Sequence, residues 1–95
     1  MNKADIINTI VNYLIAHNVR EIGFFGSFAR NDMSDKSDID VLVEYNRGTT
    51  ILDIVKMKLA LYELTGRKID LVSKRAVRKQ IMENIKSDLQ TVYRG

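Results

Sequence analysis

The chain has 95 residues, which fits one domain with a small core. At 45% hydrophobic and 28% charged residues, its composition is that of a globular protein rather than a disordered one. The sequence contains no cysteine, which excludes disulfides, thiolate zinc sites and cysteine nucleophiles and leaves oxygen ligands or His17 for any metal. A net charge of +3 is compatible with nucleic acid, with a nucleotide or with solubility alone.

The N-terminal segment predicts a helix that begins near Asn2, because its apolar residues recur every three or four positions. His17 and Asn18 end this helix, the histidine near its negative end and the asparagine as a left-handed cap. The segment shows neither a signal-peptide core nor a long apolar span, so we expect a cytoplasmic protein. Residues 20–25 then predict a first strand, which ends at Gly26. The apolar stripe of the helix consists of Ile6, Ile7, Ile10, Val11, Leu14 and Ile15.

The next segment combines a turn, a polar loop and a strand that carries two acids. A short helix is predicted over residues 27–31 and a polar loop over residues 31–37. Residues 38–45 predict a second strand, in which Asp38 and Asp40 share one face because alternate strand residues point to the same side.

A second long helix is predicted from the Thr50 cap to Gly66, with Asp53 in its first turn. Its stripe consists of Ile51, Leu52, Val55, Leu59 and Tyr62. A second apolar face is formed by Met57, Leu61 and Leu64. The sequence leaves open whether the extra apolar surface is core contact or an interface.

Residues 68–73 predict a third strand, with Asp70 pointing away from the side of its apolar neighbours. A last helix is predicted from about Ser73, and residues 90–93 predict a short final strand. The helix carries Val77, Ile81, Ile85 and Leu89. This order of elements predicts an α/β (α+β) fold, with helices packed on a small mixed β-sheet.

Asp38, Asp40 and Asp70 interrupt otherwise apolar strands, where a buried carboxylate costs several kcal/mol unless it is paired or bound to a metal. The backbones of Asp38 and Asp40 lie roughly 7 Å apart, because each strand residue advances about 3.3 Å. Such a pair can hold one Mg²⁺ or bridge two, and Asp70 would complete the site or take a proton from an attacking hydroxyl.

The turn before the loop has the features of a phosphate site. Gly26 allows the backbone to approach a polyanion closely, and the Ser27 hydroxyl can donate to a phosphate oxygen. Arg30 is either a further phosphate contact or an ion-pair partner that positions an acid, and we count it among the nucleotide-binding candidates.

One segment of the sequence resembles the GSx10DxD signature of the DNA polymerase β-like nucleotidyltransferase superfamily. In it, Gly26 and Ser27 are followed by ten residues and then by Asp38-Ile39-Asp40. The segments FGSFAR, SDIDVLV and KIDLV are similar to its minimal nucleotidyltransferase (MNT) branch. Asn31 departs from the glycine that is usual there, and asparagine tolerates a left-handed turn. The resemblance implies that Asp38, Asp40 and Asp70 bind Mg²⁺ or act in catalysis, and that Gly26 and Ser27 hold the triphosphate.

The same resemblance implies attack of an acceptor hydroxyl on the α-phosphorus of ATP, with two Mg²⁺ ions and release of pyrophosphate. It further implies an antitoxin that adenylylates a tyrosine of a HEPN-domain ribonuclease toxin. Two alternatives are an antitoxin that neutralises its partner by contact alone and nucleotidyl transfer to a small molecule. Three costly strand acids speak against the first, and the lack of a second substrate domain in a chain this short speaks against the second.

The remaining charged residues predict surface roles. Asp32 and Asp35 are predicted to be solvated turn residues, and His17 a capping residue rather than a metal ligand. A basic cluster after the third strand is predicted to be a solvated face, with an acidic partner or RNA as the minority interpretation. The cluster consists of Lys74, Arg75, Arg78 and Lys79. The few aromatic residues do not form the stacking platform that single-stranded nucleic acid favours.

Overall fold

The computed structural model describes residues 1–32 and 38–95. Most of the predicted polar loop, including Asp35, lies outside the described residues. The elements are α1 (Lys3–Ala16), β1 (Glu21–Phe25), α2 (Gly26–Arg30), β2 (Ile39–Glu44), α3 (Ile51–Thr65), β3 (Ile69–Ser73), α4 (Lys79–Lys86) and β4 (Gln90–Arg94). Within these two ranges, no helix is long and apolar enough to cross a membrane.

The four strands form one mixed sheet in the order β3-β2-β1-β4. β1 pairs with β2 and with β4 in antiparallel orientation, whereas β2 and β3 are parallel. Parallel neighbours need a crossover connection, and α3 provides it. The predicted mixed sheet with packed helices is therefore confirmed.

The main core lies between one face of the sheet and the helices α1 and α3. Apolar residues alternate along β1, β2 and β3, so each strand turns one side towards the helices. The buried residues of this core include Ile6, Ile10 and Leu14 from α1, Met57 and Leu61 from α3, and Ile22, Phe24, Ile39, Val41, Val43, Ile69 and Leu71 from the sheet.

The predicted helix ends are largely confirmed. Asn18 and Asn31 adopt positive φ values of 64° and 62°, the left-handed conformation that asparagine tolerates. The side chain of Thr50 accepts a hydrogen bond from the amide of Asp53, whose carboxylate accepts one from the amide of Thr50. This reciprocal capping box begins α3, and Gly66 ends the helix in the left-handed region.

The stripe predicted for α3 does not face the core, so this prediction is wrong. Met57 and Leu61, assigned to the second apolar face, are the buried residues of the helix. The predicted stripe is exposed instead, because the crossover from β2 to β3 fixes which side of the helix meets the sheet. Both faces are apolar, and periodicity alone cannot tell them apart.

The last helix is shorter than predicted. A turn occupies residues 74–76 and a bend residue 77, and α4 begins only at Lys79. Ile85 is buried, whereas Ile81 is half exposed. The side chain of Leu89 lies over Gly23, on the sheet face opposite α1 and α3. Among residues 1–32 and 38–95, this second face of the sheet is only partly covered, and the predicted final strand forms as β4.

Candidate active site

The parallel pairing of β2 and β3 brings two of the three predicted acids together. Asp40 is the register partner of Asp70, and neighbouring strands lie about 4.8 Å apart. Both side chains project from the sheet face opposite the main core, and both residues are partly buried. The sheet thus holds two carboxylates side by side on its second, partly covered face.

The electrostatic environment of Asp40 opposes its ionisation. Burial raises the pKa of the Asp40 carboxyl above its ordinary value, and the negative charges of Asp70, Asp38 and Asp88 raise it further. Arg30 acts in the opposite direction but more weakly. A bound cation would relieve this repulsion, since like charges in a partly buried site disfavour each other's charged form.

Asp38 lies at the edge of this group rather than inside it. It precedes β2, its side chain is 43% exposed, and its Oδ2 atom is 3.7 Å from the Nζ atom of Lys68. In the described part of the chain, no three acidic, histidine or cysteine side chains converge on a single point. Asp38 therefore lies close enough to raise the pKa of Asp40, while its own carboxylate contacts Lys68.

The Gly26 turn packs directly against Asp40. Gly26 has a φ of 73°, and a Cβ atom built on it would collide with the Oδ2 atom of Asp40. Glycine fits this position because any other residue would be strained at a positive φ, and its Cβ atom would displace the carboxylate of Asp40. Ser27 follows in the first turn of α2, so the predicted phosphate turn and the predicted metal ligand are neighbours in space.

Arg30, at the end of α2, is engaged by two acids. Its Nε atom lies 3.1 Å from Oδ2 of Asp32, and its Nη1 atom lies 2.6 Å from Oδ2 of Asp88. Asp32, predicted to be solvated, is exposed and forms this pair at the surface. The guanidinium thus links α2 to the segment between α4 and β4, and its charge reaches Asp40.

Asp88 is the residue of this site that the sequence prediction missed. Its side chain is only 16% exposed, and its charge contributes to the raised pKa of Asp40. It lies 58 residues from Arg30 in the sequence, beyond the last helix. No local pattern marks it, because its position depends on how β4 pairs with β1.

The donor set fits a magnesium site. Carboxylate oxygens are the ligands that Mg²⁺ prefers, and the ion usually takes one or two carboxylates together with water and phosphate oxygens. Asp40 and Asp70 supply two such groups at paired positions, with Asp38 close by. These residues are the ones that would hold the metal.

The other predicted surface residues lie apart from the acids. The Nδ1 atom of His17 lies 2.8 Å from the carbonyl oxygen of Tyr13. The rings of the two residues are stacked, with their centroids 4.0 Å apart. In the basic cluster, Lys74 pairs with Glu21 at 2.9 Å and Arg75 with Glu44 at 3.1 Å. These contacts join two members of the cluster to the ends of the inner strands β1 and β2.

An open groove of about 690 Å³ lies between the end of α1 and the start of α3. Its lining includes Tyr13, His17, Arg47 and Lys56 but none of the predicted site acids. It lies beside the loop that follows β2, whereas Asp40 is near the beginning of that strand. The volume of the groove therefore does not identify the active site of this protein.

The strand order, the paired acids and the Gly26 turn are what the resemblance to nucleotidyltransferases implies, and a family comparison identifies the fold. The model described as polymerase beta, nucleotidyltransferase, matches residues 8–94. The chain belongs to this family. The predicted superfamily is thereby confirmed.

Individual relatives indicate the branch of the family to which the chain is most similar in the comparisons below. The chain is 35% identical over 85 residues to a candidate protein adenylyltransferase of Methanocaldococcus jannaschii, covering 90% of this chain and 91% of the relative. It matches the structure of a candidate minimal nucleotidyltransferase with a TM-score of 0.82 and 29% identity, over 97% of each chain. The predicted MNT branch is supported by both.

A third comparison concerns a complex. The structure of a tri-AMPylated HEPN toxin of Shewanella oneidensis with an MNT antitoxin contains a chain that matches with a TM-score of 0.78. The identity is 17%, and the match covers 99% of this chain and 74% of the other. At this identity the likeness establishes the shared fold.

Proposed function

We propose that residues 1–95 act as one nucleotidyltransferase domain, which transfers AMP from ATP to a hydroxyl of a protein acceptor with the help of Mg²⁺. The observation that carries the proposal is the pairing of Asp40 with Asp70 directly beside the Gly26 turn. Paired carboxylates next to a backbone turn open to phosphate are what metal-dependent phosphoryl chemistry requires.

In the proposed reaction, the acceptor oxygen forms a bond to the α-phosphorus of ATP. The bond from that phosphorus to the oxygen bridging to the β-phosphate breaks, and pyrophosphate leaves with the electron pair. The hydroxyl proton passes to a carboxylate, for which Asp70 is the candidate base. Asp38, Asp40 and Asp70 would hold the metal, and Gly26 and Ser27 would hold the triphosphate. When bound, Mg²⁺ neutralises charge on the phosphate oxygens.

We further propose that the acceptor is a tyrosine of a HEPN-domain ribonuclease toxin and that the chain acts in the cytoplasm as its antitoxin. Support comes from the relative designated a candidate protein adenylyltransferase and from the fold shared with a chain of the MNT–HEPN complex. The partly covered face of the sheet suits a protein acceptor, because a second protein can close it over the acids.

The test is transfer of α-labelled ATP, with Mg²⁺, onto the toxin encoded by the neighbouring gene. We expect label on the toxin with the wild-type chain and none with the double variant Asp38→Asn, Asp40→Asn. The variant Asp5→Asn is the matched control, because it removes one exposed acid from α1, on the other side of the sheet.

Two other results would change the proposed function. If the double variant still neutralises the toxin fully, the chain acts by contact and the enzymatic proposal is wrong for this role. If the toxin stays unlabelled while a small hydroxyl compound such as an aminoglycoside accepts AMP, the acceptor class is wrong but the chemistry is retained.

A further inference from the structure

The outer side of α3 carries a continuous apolar surface, which we call the α3 stripe. At about 100° per residue, its five members occupy one sector of the helix, roughly 100° wide. The members and their exposed fractions are Ile51 (81%), Leu52 (61%), Val55 (45%), Leu59 (62%) and Tyr62 (56%). Single exposed apolar residues are normal in proteins, whereas a contiguous run along one helix marks an interaction surface.

The core does not account for the α3 stripe. Met57 and Leu61 already connect α3 to the sheet from the other side of the helix, with exposed fractions of 5% and 0%. Five large side chains exposed by about half or more offer roughly 600 Å² of surface, at the upper end for the largest patch of a typical monomer. Two such surfaces together reach about 1,200 Å², the lower bound for a specific protein–protein interface.

The position of the α3 stripe distinguishes between possible occupants. α3 packs on the core face of the sheet, whereas Asp40 and Asp70 project from the opposite face. On the proposed function, an acceptor hydroxyl must reach those acids. An acceptor seated on the α3 stripe would lie behind the sheet, whereas a second copy seated there leaves both acid faces accessible.

The α3 stripe is also self-complementary in antiparallel pairing. With a two-fold axis at its middle, Tyr62 of one copy lies over Ile51 of the other, and Leu59 lies beside Val55. Large side chains thus meet smaller ones, as close packing requires.

We propose that two copies of this chain associate through the α3 stripe as a two-fold symmetric antiparallel helix pair. This arrangement is an isologous contact, in which the same patch is buried on both copies and no further copies can add. Because the buried area is small, the association is weak, and it leaves the acid faces directed outwards.

Sedimentation equilibrium of the purified chain tests the association without nucleotide or acceptor. We expect a monomer–dimer equilibrium at micromolar concentrations and a dissociation constant raised about tenfold or more in Leu59→Lys, which places a charge in the contact. Ile81→Lys is the control, because Ile81 is an apolar residue of α4 with a similar exposed fraction, 50%. A wild-type chain that stays monomeric at 100 µM, or Leu59→Lys indistinguishable from Ile81→Lys, would overturn the proposal.

Cysteine cross-linking tests the antiparallel geometry, and the chain offers no background because it has no cysteine. Positions 51 and 62 are about 16 Å apart along the helix, far beyond the Cα separation that a disulfide spans. An equimolar mixture of Ile51→Cys and Tyr62→Cys should therefore cross-link, whereas neither variant alone should do so. Efficient cross-linking of each variant with itself would indicate a parallel pair and contradict the proposed arrangement.

Oligomeric state and transfer are separate measurements, so the two proposals fail independently. A monomeric chain that labels its acceptor refutes the dimer only. A dimer that transfers nothing to any acceptor refutes the proposed function and leaves the α3 stripe as a self-association surface.

Discussion

The backbone of Gly26 lies against the carboxylate of Asp40, so that a single Cβ atom at position 26 would collide with Oδ2. This contact joins the first residue of α2 to the beginning of β2, an inner strand of the sheet. It means that the backbone proposed to hold phosphate and the carboxylate proposed to hold metal cannot move independently.

Gly26→Ala should therefore damage both stability and activity. The left-handed conformation costs a residue with a Cβ atom about 1–2 kcal/mol, and the collision with Asp40 adds to this. Gly48→Ala is a matched control, because Gly48 has a φ of 86° but nothing within 4 Å of its Cβ position. Urea unfolding should show a larger loss for Gly26→Ala than for Gly48→Ala. Equal losses would mean that the contact with Asp40 carries no cost.

Asp40→Asn should stabilise the chain in the absence of metal at neutral pH. The pKa of Asp40 is raised in the folded state by burial and then by the charge of Asp70, so its ionisation opposes folding above the ordinary carboxyl pKa of about 3.9. Replacing the carboxyl removes that penalty, and the melting temperature at pH 7 should rise. The gain should shrink as the pH falls through the raised folded-state pKa of Asp40 and should vanish below the unfolded pKa of about 3.9. A lower melting temperature at pH 7 would contradict this account.

Variants of Arg30 and Asp88 separate two roles of the arginine. Both contacts of Arg30 go to carboxylates, so we expect it to act as a positioning residue for the acid cluster. Arg30→Gln and Asp88→Asn should then lower the rate of AMP transfer by similar factors, with little further loss in the double variant. A rise in the KM for ATP in Arg30→Gln alone would assign the guanidinium to the triphosphate instead.

Tyr45 provides a second pH dependence, which acts at alkaline pH. Burial, followed by the charge of Asp70, raises the pKa of Tyr45 to about 12. Its hydroxyl is buried without a hydrogen-bond partner among residues 1–32 and 38–95. Because the unfolded pKa is about 10, the neutral phenol favours the folded state until the pH passes that value, and stability is then lost towards pH 12. Tyr45→Phe should resist alkaline unfolding better than the wild type. If the two unfold at the same pH, the phenol of Tyr45 does not limit alkaline stability.

The sequence predicted the elements better than their contacts. Strand alternation placed Asp38, Asp40 and Asp70 correctly on or beside strands, because the acids interrupt apolar runs. Strand register is a tertiary property, however, and only the parallel pairing of β2 with β3 shows that Asp40 meets Asp70 while Asp38 lies nearer Lys68. The roles of Gly26, Ser27 and the three acids in binding stay predictions.

For the helices too, the sequence predicted the elements better than their contacts. α1 has one apolar face, and periodicity identified its buried residues Ile6, Ile10 and Leu14. α3 has two apolar faces, and the prediction chose the exposed one. Asp88 could not be found at all, because its proximity to Arg30 arises from the return of the chain through β4.

Calorimetric titration of the purified chain with ATP, in the presence and absence of Mg²⁺, tests the central claim most directly, since it requires no acceptor. The account predicts Mg²⁺-dependent binding that weakens about tenfold or more in Asp40→Asn and in Asp70→Asn, while Asp5→Asn binds like the wild type. Binding that is equally tight without Mg²⁺ and in all three variants would contradict the assignment of the paired acids beside Gly26 as the nucleotide and metal site.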